Sequence, residues 1–202
     1  MQTPKPRFIV GIGGSAGGLD AYMKFLDALP EDTGMAFVII SHILPTESHS
    51  LLAEILAKHT KMPVRVTAAE MPVRPDHVYV IAPNVDLRIE DYTFKPTAPR
   101  TMNKQVDIFL TSLASAMGEH AIGIIFSGYD GDGSQGCMEI KLRGGTTFAQ
   151  DSSAIVNGMP VSAQRSGYVD HVLPPGEMGA ALEKWADAFD THPSGFGHLL
   201  TT

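Results

Sequence analysis

Gly13-Gly14-Ser15-Ala16-Gly17 sets a serine among glycines in the pattern G-x-S-x-G. A serine in that setting suits nucleophilic attack, because the pattern belongs to a tight strand-to-helix turn that stands Oγ above the end of a sheet. The amide of Ala16, at the helix start, would then point where an oxyanion forms, and the helix dipole favours negative charge there. Such a serine needs a base to take its proton and an acid to orient the base. His42 in "IISHIL" is a candidate base, and Asp130 and Asp132 in "SGYDGDGSQG" are candidate acids. Each has an ordinary use as well. Ser15 suits a helix cap, His42 is one of 8 histidines, and Asp beside Gly is a common turn or N-cap residue. The glycines also admit a second chemistry. Gly11-Ile12-Gly13-Gly14-Ser15-Ala16 fits G-x-G-x-x-A, the phosphate-binding fingerprint of a dinucleotide fold. That fingerprint wants an acid about 20 residues later, at the end of the second strand. Here that strand ends Ile40-Ser41-His42-Ile43, and the next acid is Glu47. The nucleophile is the better fit.

These residues do chemistry only if the chain brings them together. "RFIVG" (7–11) reads as a buried strand, and Leu19, Tyr22, Met23, Leu26 and Leu29 form one face of a helix ended by Pro30. "MAFVIIS" (35–41) is an unbroken apolar run of the kind expected in a parallel sheet covered on both faces. A helix with Leu51, Leu52, Ile55 and Leu56 on one stripe follows, then strands at "MPVRVT" and "HVYVIAP". Segment 85–99 alternates apolar and polar and predicts a β-hairpin turning near Glu90-Asp91. After a polar loop, "APRTMNKQ", a helix runs from Val106 through Met117. Further strands are expected at 121–127, "TTFAQ" and "YVDHVL", and helices at 134–143, after Gly158-Met159-Pro160, and at 177–188. This alternation predicts an α/β fold, a doubly wound and mostly parallel sheet with helices on both faces and an inserted hairpin. Ser15 would follow the first strand, His42 the second, and the two aspartates the strand 121–127. In an open α/β sheet, sites gather beyond the carboxyl ends of strands.

Composition removes several classes. At 202 residues the chain is expected to form one domain with its own core. We expect a short extension at 1–7, the domain at 8–188 and a tail or linker at 189–202. A net charge of −7 argues against a nucleic-acid surface, which needs clustered Lys and Arg. No run approaches the ~18 apolar residues of a membrane helix, so the chain is not expected to be membrane-embedded. The single cysteine, Cys137, cannot form an internal disulfide, which fits a cytoplasmic location. No His/Cys cluster has metal-ligand spacing, and no metal or organic cofactor is expected.

"GIGGSAGG", "SHILPTESHSLLAEIL", "YVIAPN", "FSGYDGDGSQGCMEIKLRGGTTFAQD", "NGMPVSA" and "VDHVLPP" occur in an order that resembles the chemotaxis receptor methylesterase family, CheB. The resemblance runs from Phe8 to Ala188 and looks closest to methylesterase domains fused to the partner methyltransferase. It implies a protein-glutamate methylesterase that hydrolyses glutamate γ-methyl esters on chemoreceptor helices and also deamidates receptor glutamines. It implies Ser15 as nucleophile, His42 as general base and Asp132, directly before Gly133, as the orienting acid. It also implies a backbone oxyanion donor at Tyr129, joining Ala16. A methyltransferase domain, in the same or a partner chain, is an expected companion.

The pattern departs from the family in two places. Tyr129 stands where Met or Thr is usual, and "TMNKQVDIF" (101–109) lacks the Arg-Pro that commonly precedes the next helix. The seven residues before Phe8 are too few for a receiver domain, so either the sequence is a piece of a larger protein or activity is gated another way, and the family's phosphorylation control is not assigned to these residues. These departures motivate an alternative, a non-catalytic signalling module that keeps the fold.

Overall fold

The strands β1 (Ile9–Gly14) and β2 (Ala36–Ser41) are buried at every residue. Strands of that kind need helices over both faces, and a parallel sheet linked by crossover helices provides them. The computed structural model, which describes residues 4–41, 48–98 and 104–191, has this architecture. The remaining strands are β3 (Val64–Val66), β4 (His77–Val80), β5 (Asp86–Glu90), β6 (Thr93–Thr97), β7 (Ala121–Ile125), β8 (Thr146–Gln150) and β9 (His171–Leu173). Seven of them form one parallel sheet in the order β3-β4-β2-β1-β7-β8-β9. The helices are α1 (Gly18–Asp27), α2 (Ser48–Leu56), α3 (Gln105–Met117), α4 (Ser134–Leu142), α5 (Gly158–Arg165) and α6 (Pro175–Thr191).

Alternate strand residues feed two separate cores, as the two-residue period of a strand requires. On one face Val10, Ile12, Phe37, Ile39, Ile122 and Ile124 pack with Phe25 and Leu26 of α1, Leu52 of α2 and Leu182 of α6. On the other, Ile9, Val38, Ile40 and Ile125 pack with Phe109 and Leu110 of α3, Ile140 of α4, and Leu87 and Phe94 of the hairpin.

The expected fold class is therefore the observed one, with local differences. The hairpin β5–β6 turns at Asp91 and Tyr92, with φ of 46° and 58°, one residue later than expected. Two left-handed residues in a row match the right-handed twist of the flanking strands. The outer strands β3 and β9 keep only three residues each, because a sheet edge has a partner on one side alone. Strand β1 is longer than expected, and its last residues are glycines. Helix α6 reaches Thr191, so Phe189, one residue past the expected domain end, packs edge-on against Phe8 with ring centroids 5.4 Å apart. Most of the polar loop before α3 and the last eleven residues lie outside the described residues. Among the described residues no helix is long and apolar enough to cross a membrane.

Candidate active site

The first strand of the chain lies in the middle of the sheet. Strand β2 follows it on one side, and β7 joins on the other after the excursion through β3–β6. The crevice where strand order reverses, beyond the carboxyl ends, is the usual place for a site in such sheets. Gly14, the last residue of β1, pairs with Ser41, the last of β2, and Gly13 pairs with Ile125, the last of β7. Ser15 thus leaves the sheet at this crevice.

Its turn is built by close packing as much as by glycine flexibility. A Cβ at Gly11 would stand 2.5 Å from Cδ2 of Leu110, and one at Gly13 would stand 2.3 Å from Cγ1 of Val106. Side chains of α3 fill the space those glycines leave, so α3 lies directly on β1. Gly11 and Gly13 are strand residues and do not form a phosphate-cradling loop. The chain reverses over Ser15–Gly17. The Ser15 amide donates to the Ser127 carbonyl at 2.8 Å, and the Gly18 amide donates to the Ser15 carbonyl at 2.9 Å. Gly17 is left-handed, with φ 76° and ψ 0°, where an L side chain costs about 1–2 kcal/mol. Ser15 itself is half-buried.

Ser127, fully buried beyond β7, fastens this turn from behind. Its Oγ lies 2.7 Å from the Ala16 carbonyl and 3.1 Å from the Val156 carbonyl, and accepts the Val156 amide at 2.9 Å. Its own amide donates to Oε1 of Gln150 at 3.0 Å. One side chain therefore ties together the serine turn, the end of β7 and the loop before α5. Below the turn, Tyr22 is buried and its hydroxyl is directed toward Ser41 without reaching hydrogen-bond geometry with a described residue. Burial pushes the Tyr22 phenol well above its usual range, so it is neutral.

The two aspartates separate by burial. Asp130 is half-buried and accepts the Asp132 amide on Oδ1 at 3.1 Å, an ordinary turn role. Asp132 is 1% exposed. Its Oδ2 accepts the Val106 amide at 3.0 Å, and its Oδ1 accepts the Asp107 amide at 2.8 Å. Both donors belong to the first turn of α3, where unpaired amides and the helix dipole favour an anion. Val106 is also the residue that fills the gap at Gly13. Asp132 and the end of the strand that leads into the serine turn therefore rest on the same point of α3.

Asp107 mirrors Asp132. Its Oδ1 accepts the amides of Gly133 and Gly136, at 2.8 and 2.9 Å, at the start of α4. Its Oδ2 takes Lys104 Nζ at 3.0 Å, and that partnership raises the lysine pKa. Tyr129 projects into solvent, 77% exposed. The backbone around it is tightly held, with the Gly128 amide donating to Val156 and the Met159 amide to Gly128, both at 2.9 Å. A Cβ at Gly158 would sit 2.1 Å from the Tyr129 carbonyl oxygen, so only glycine fits there. The amides of Ala16 and Tyr129 have no hydrogen-bond acceptor among the described residues.

Of the residues expected at the site, Ser15 leaves β1 at the crevice with Ala16 after it, Tyr129 follows Gly128, where a Cβ would stand 3.2 Å from that of Ser15, and Asp132 is held on the α3 first turn that packs against Gly13. His42 follows Ser41 directly in the chain and lies outside the described residues. Among the described residues no group of three His, Cys, Asp or Glu could hold a metal ion. The sequence reading missed Ser127, Asp107 and Gly158, whose roles depend on partners distant in the chain.

A family model described as CheB methylesterase matches residues 10–182. The chain belongs to this family. It is 32% identical over 188 residues to a protein-glutamate methylesterase/protein-glutamine glutaminase of Geobacter metallireducens, covering 89% of this chain and 51% of that one. It is 33% identical over 191 residues to the protein-glutamate methylesterase FrzG of Myxococcus xanthus, covering 92% and 57%. The CheB-family chain thus spans about half the length of these relatives. Its fold superimposes on the crystal structure of the Thermotoga maritima CheB methylesterase catalytic domain with a TM-score of 0.82 and 26% identity. That match covers 91% of this chain and 100% of the other. The resemblance read from the motifs and the fold expected from the element order meet in this match.

Proposed function

We propose that this CheB-family chain is a protein-glutamate methylesterase acting through Ser15, His42 and Asp132. The observation that carries the reading is the turn at Ser15, which sets a half-buried serine at the strand-order reversal, with the buried Asp132 carboxylate held by the first turn of the helix that packs on β1. His42 takes the Ser15 proton as Oγ attacks the ester carbonyl, and Asp132 orients the imidazole. The amides of Ala16 and Tyr129 hold the tetrahedral oxyanion, each contributing on the order of 3 kcal/mol. Methanol leaves with the proton from His42, and an acyl-enzyme forms on Ser15. Water, deprotonated by His42, then releases the glutamate carboxylate. A glutamine side chain attacked in the same way would expel ammonia, and the Geobacter relative bears both names.

The substrate is a methylated chemoreceptor helix in the cytoplasm, and the functional domain spans residues 8–188. A methyltransferase domain in the same or a partner chain is part of this reading. The test is methanol release from a methylated receptor by wild-type protein and Ser15→Ala. Turnover should fall at least ~10⁴-fold in the variant. Equal release by both would refute the serine mechanism. Receptor binding without turnover in wild type would favour the non-catalytic module.

A further inference from the structure

Helix first turns commonly carry an acid, which takes an amide of its own helix or faces water. Asp107, in the first turn of α3, does neither. It is 6% exposed, and its Oδ1 reaches across to Gly133 and Gly136 of the neighbouring helix, at 2.8 and 2.9 Å. Asp132, directly before Gly133, sends its carboxylate back to the amides of Val106 and Asp107, at 3.0 and 2.8 Å. Two residues on two helices thereby hold each other by both backbone and side chain. The Asp107 amide grips the Asp132 carboxylate, and the Asp107 carboxylate grips the peptide that follows Asp132.

We infer that Asp107 is a positioning residue for Asp132, fixing where the orienting carboxylate stands over the end of β1; this rests on the reading of Asp132 as the acid of a Ser15–His42–Asp132 triad. A simple cap for α4 would not need this arrangement, since Ser, Thr or Asn serves at a helix start. Placing a second carboxylate beside a buried one costs free energy unless donors surround both. Here four backbone amides, two helix N-termini and Lys104 supply those donors. The return on that cost is geometry. Asp132 sits in a loop, seven residues past the end of β7, and the paired clamp ties the loop to the helix lying on β1, the strand that leads into the serine turn. A displacement of about 1 Å at such a group lowers a rate roughly 100-fold.

The experiment measures kcat and KM for methyl-ester hydrolysis, per folded molecule, in Asp107→Ala, Asp107→Ser and Asp107→Asn, with thermal melting in parallel. Asp107→Ala should lower kcat ~30- to 100-fold with KM changed less than about twofold. Asp107→Asn keeps an oxygen for Gly133 and Gly136 and should restore kcat to within about fivefold of wild type. Lys104→Ala, which removes only the outer ion pair, should stay within about twofold. If Asp107→Ala does not fold, Asp107→Ser replaces it; its hydroxyl cannot span both amides, and kcat should fall about tenfold. Wild-type kcat in a folded alanine or serine variant, or a loss confined to KM, overturns the inference. Asp132→Ala and Ser15→Ala are run alongside. If they leave turnover intact, the triad reading fails and takes the inference with it. If they abolish turnover while the Asp107 variants match wild type, the inference alone fails.

Discussion

Asp132→Asn separates what this carboxylate does for the fold from what it does for the reaction. The side chain is 1% exposed and accepts two amides of the α3 first turn, at 3.0 and 2.8 Å. An asparagine of the same shape has one oxygen. It can accept one amide, and its NH₂ then faces the other, leaving a buried donor unpaired at about 1–3 kcal/mol. The surviving bond becomes neutral and weakens by about half. The helix N-terminus also loses its counter-charge, about 0.3–1 kcal/mol at the surface and up to ~2 in buried geometry. Together these predict a loss of about 2–5 kcal/mol, within the ~5–15 kcal/mol of an ordinary domain, so the variant still folds. Urea unfolding of both proteins at pH 7 would measure it, with equal m-values as the check that the unfolded states match. Turnover per folded molecule should fall about 10³–10⁴-fold, because an amide no longer holds the imidazole in the required tautomer. A stability within about 0.5 kcal/mol of wild type would refute the account of the α3 terminus. A kcat within tenfold of wild type would refute the acid's role while leaving the structural account standing.

Two further perturbations test the frame around the site. Gly158→Ala puts a Cβ 2.1 Å from the Tyr129 carbonyl oxygen and 2.9 Å from that of Gly128, so the backbone must shift. It should cost about 1–3 kcal/mol in unfolding free energy and lower kcat more than it raises KM, and an unchanged kcat would remove Tyr129 from the oxyanion site. His171, packed on Phe148 with centroids 4.6 Å apart, has its pKa lowered, mainly by burial. The unfolded chain therefore binds the proton more readily, and stability present above pH ~6.5 is lost as pH falls through that value toward the folded pKa. The urea midpoint of wild type should drop more between pH 8 and pH 5.5 than that of His171→Gln, and parallel declines would refute this.

The parts of the fold written plainly in the sequence are those that one local pattern decides. "FIVGIGG" and "AFVII" carry no polar side chain because both faces of the sheet are covered, and the period-two texture of 85–99 reads as a hairpin. The glycines before Ser15 were harder to read. A turn and a helix pressed onto a strand both ask for glycine, and only the positions of Leu110 and Val106 show that Gly11 and Gly13 serve the second need. The doublet Asp130-Gly131-Asp132 posed the same difficulty. Residue types allow either acid, and what separates them is that one is half-buried in its own turn while the other is enclosed against α3. Asp107 left no local trace, because an acid in a first helical turn looks like any charge matched to a helix dipole, and its partners lie 26 and 29 residues away.

Strand spacing explains why the proposed acid is not at the end of a strand. Neighbouring strands lie about 4.8 Å apart, so β2 and β7, with β1 between them, are separated by about 9.6 Å. A carboxylate at the tip of β7 would stand too far from a base that follows β2. The chain runs on from Ile125 to Asp132 before presenting the acid, and that loop would swing freely if nothing held it. The first turn of α3 is the holder, and it lies over β1 because Val106 occupies the place a side chain at Gly13 would take. The glycine two residues before Ser15 and the aspartate 117 residues after it are thus parts of one device. The order Ser15, His42, Asp132 in the proposed triad then follows from the topology, in which the first strand is central and its two neighbours come later, one on each side.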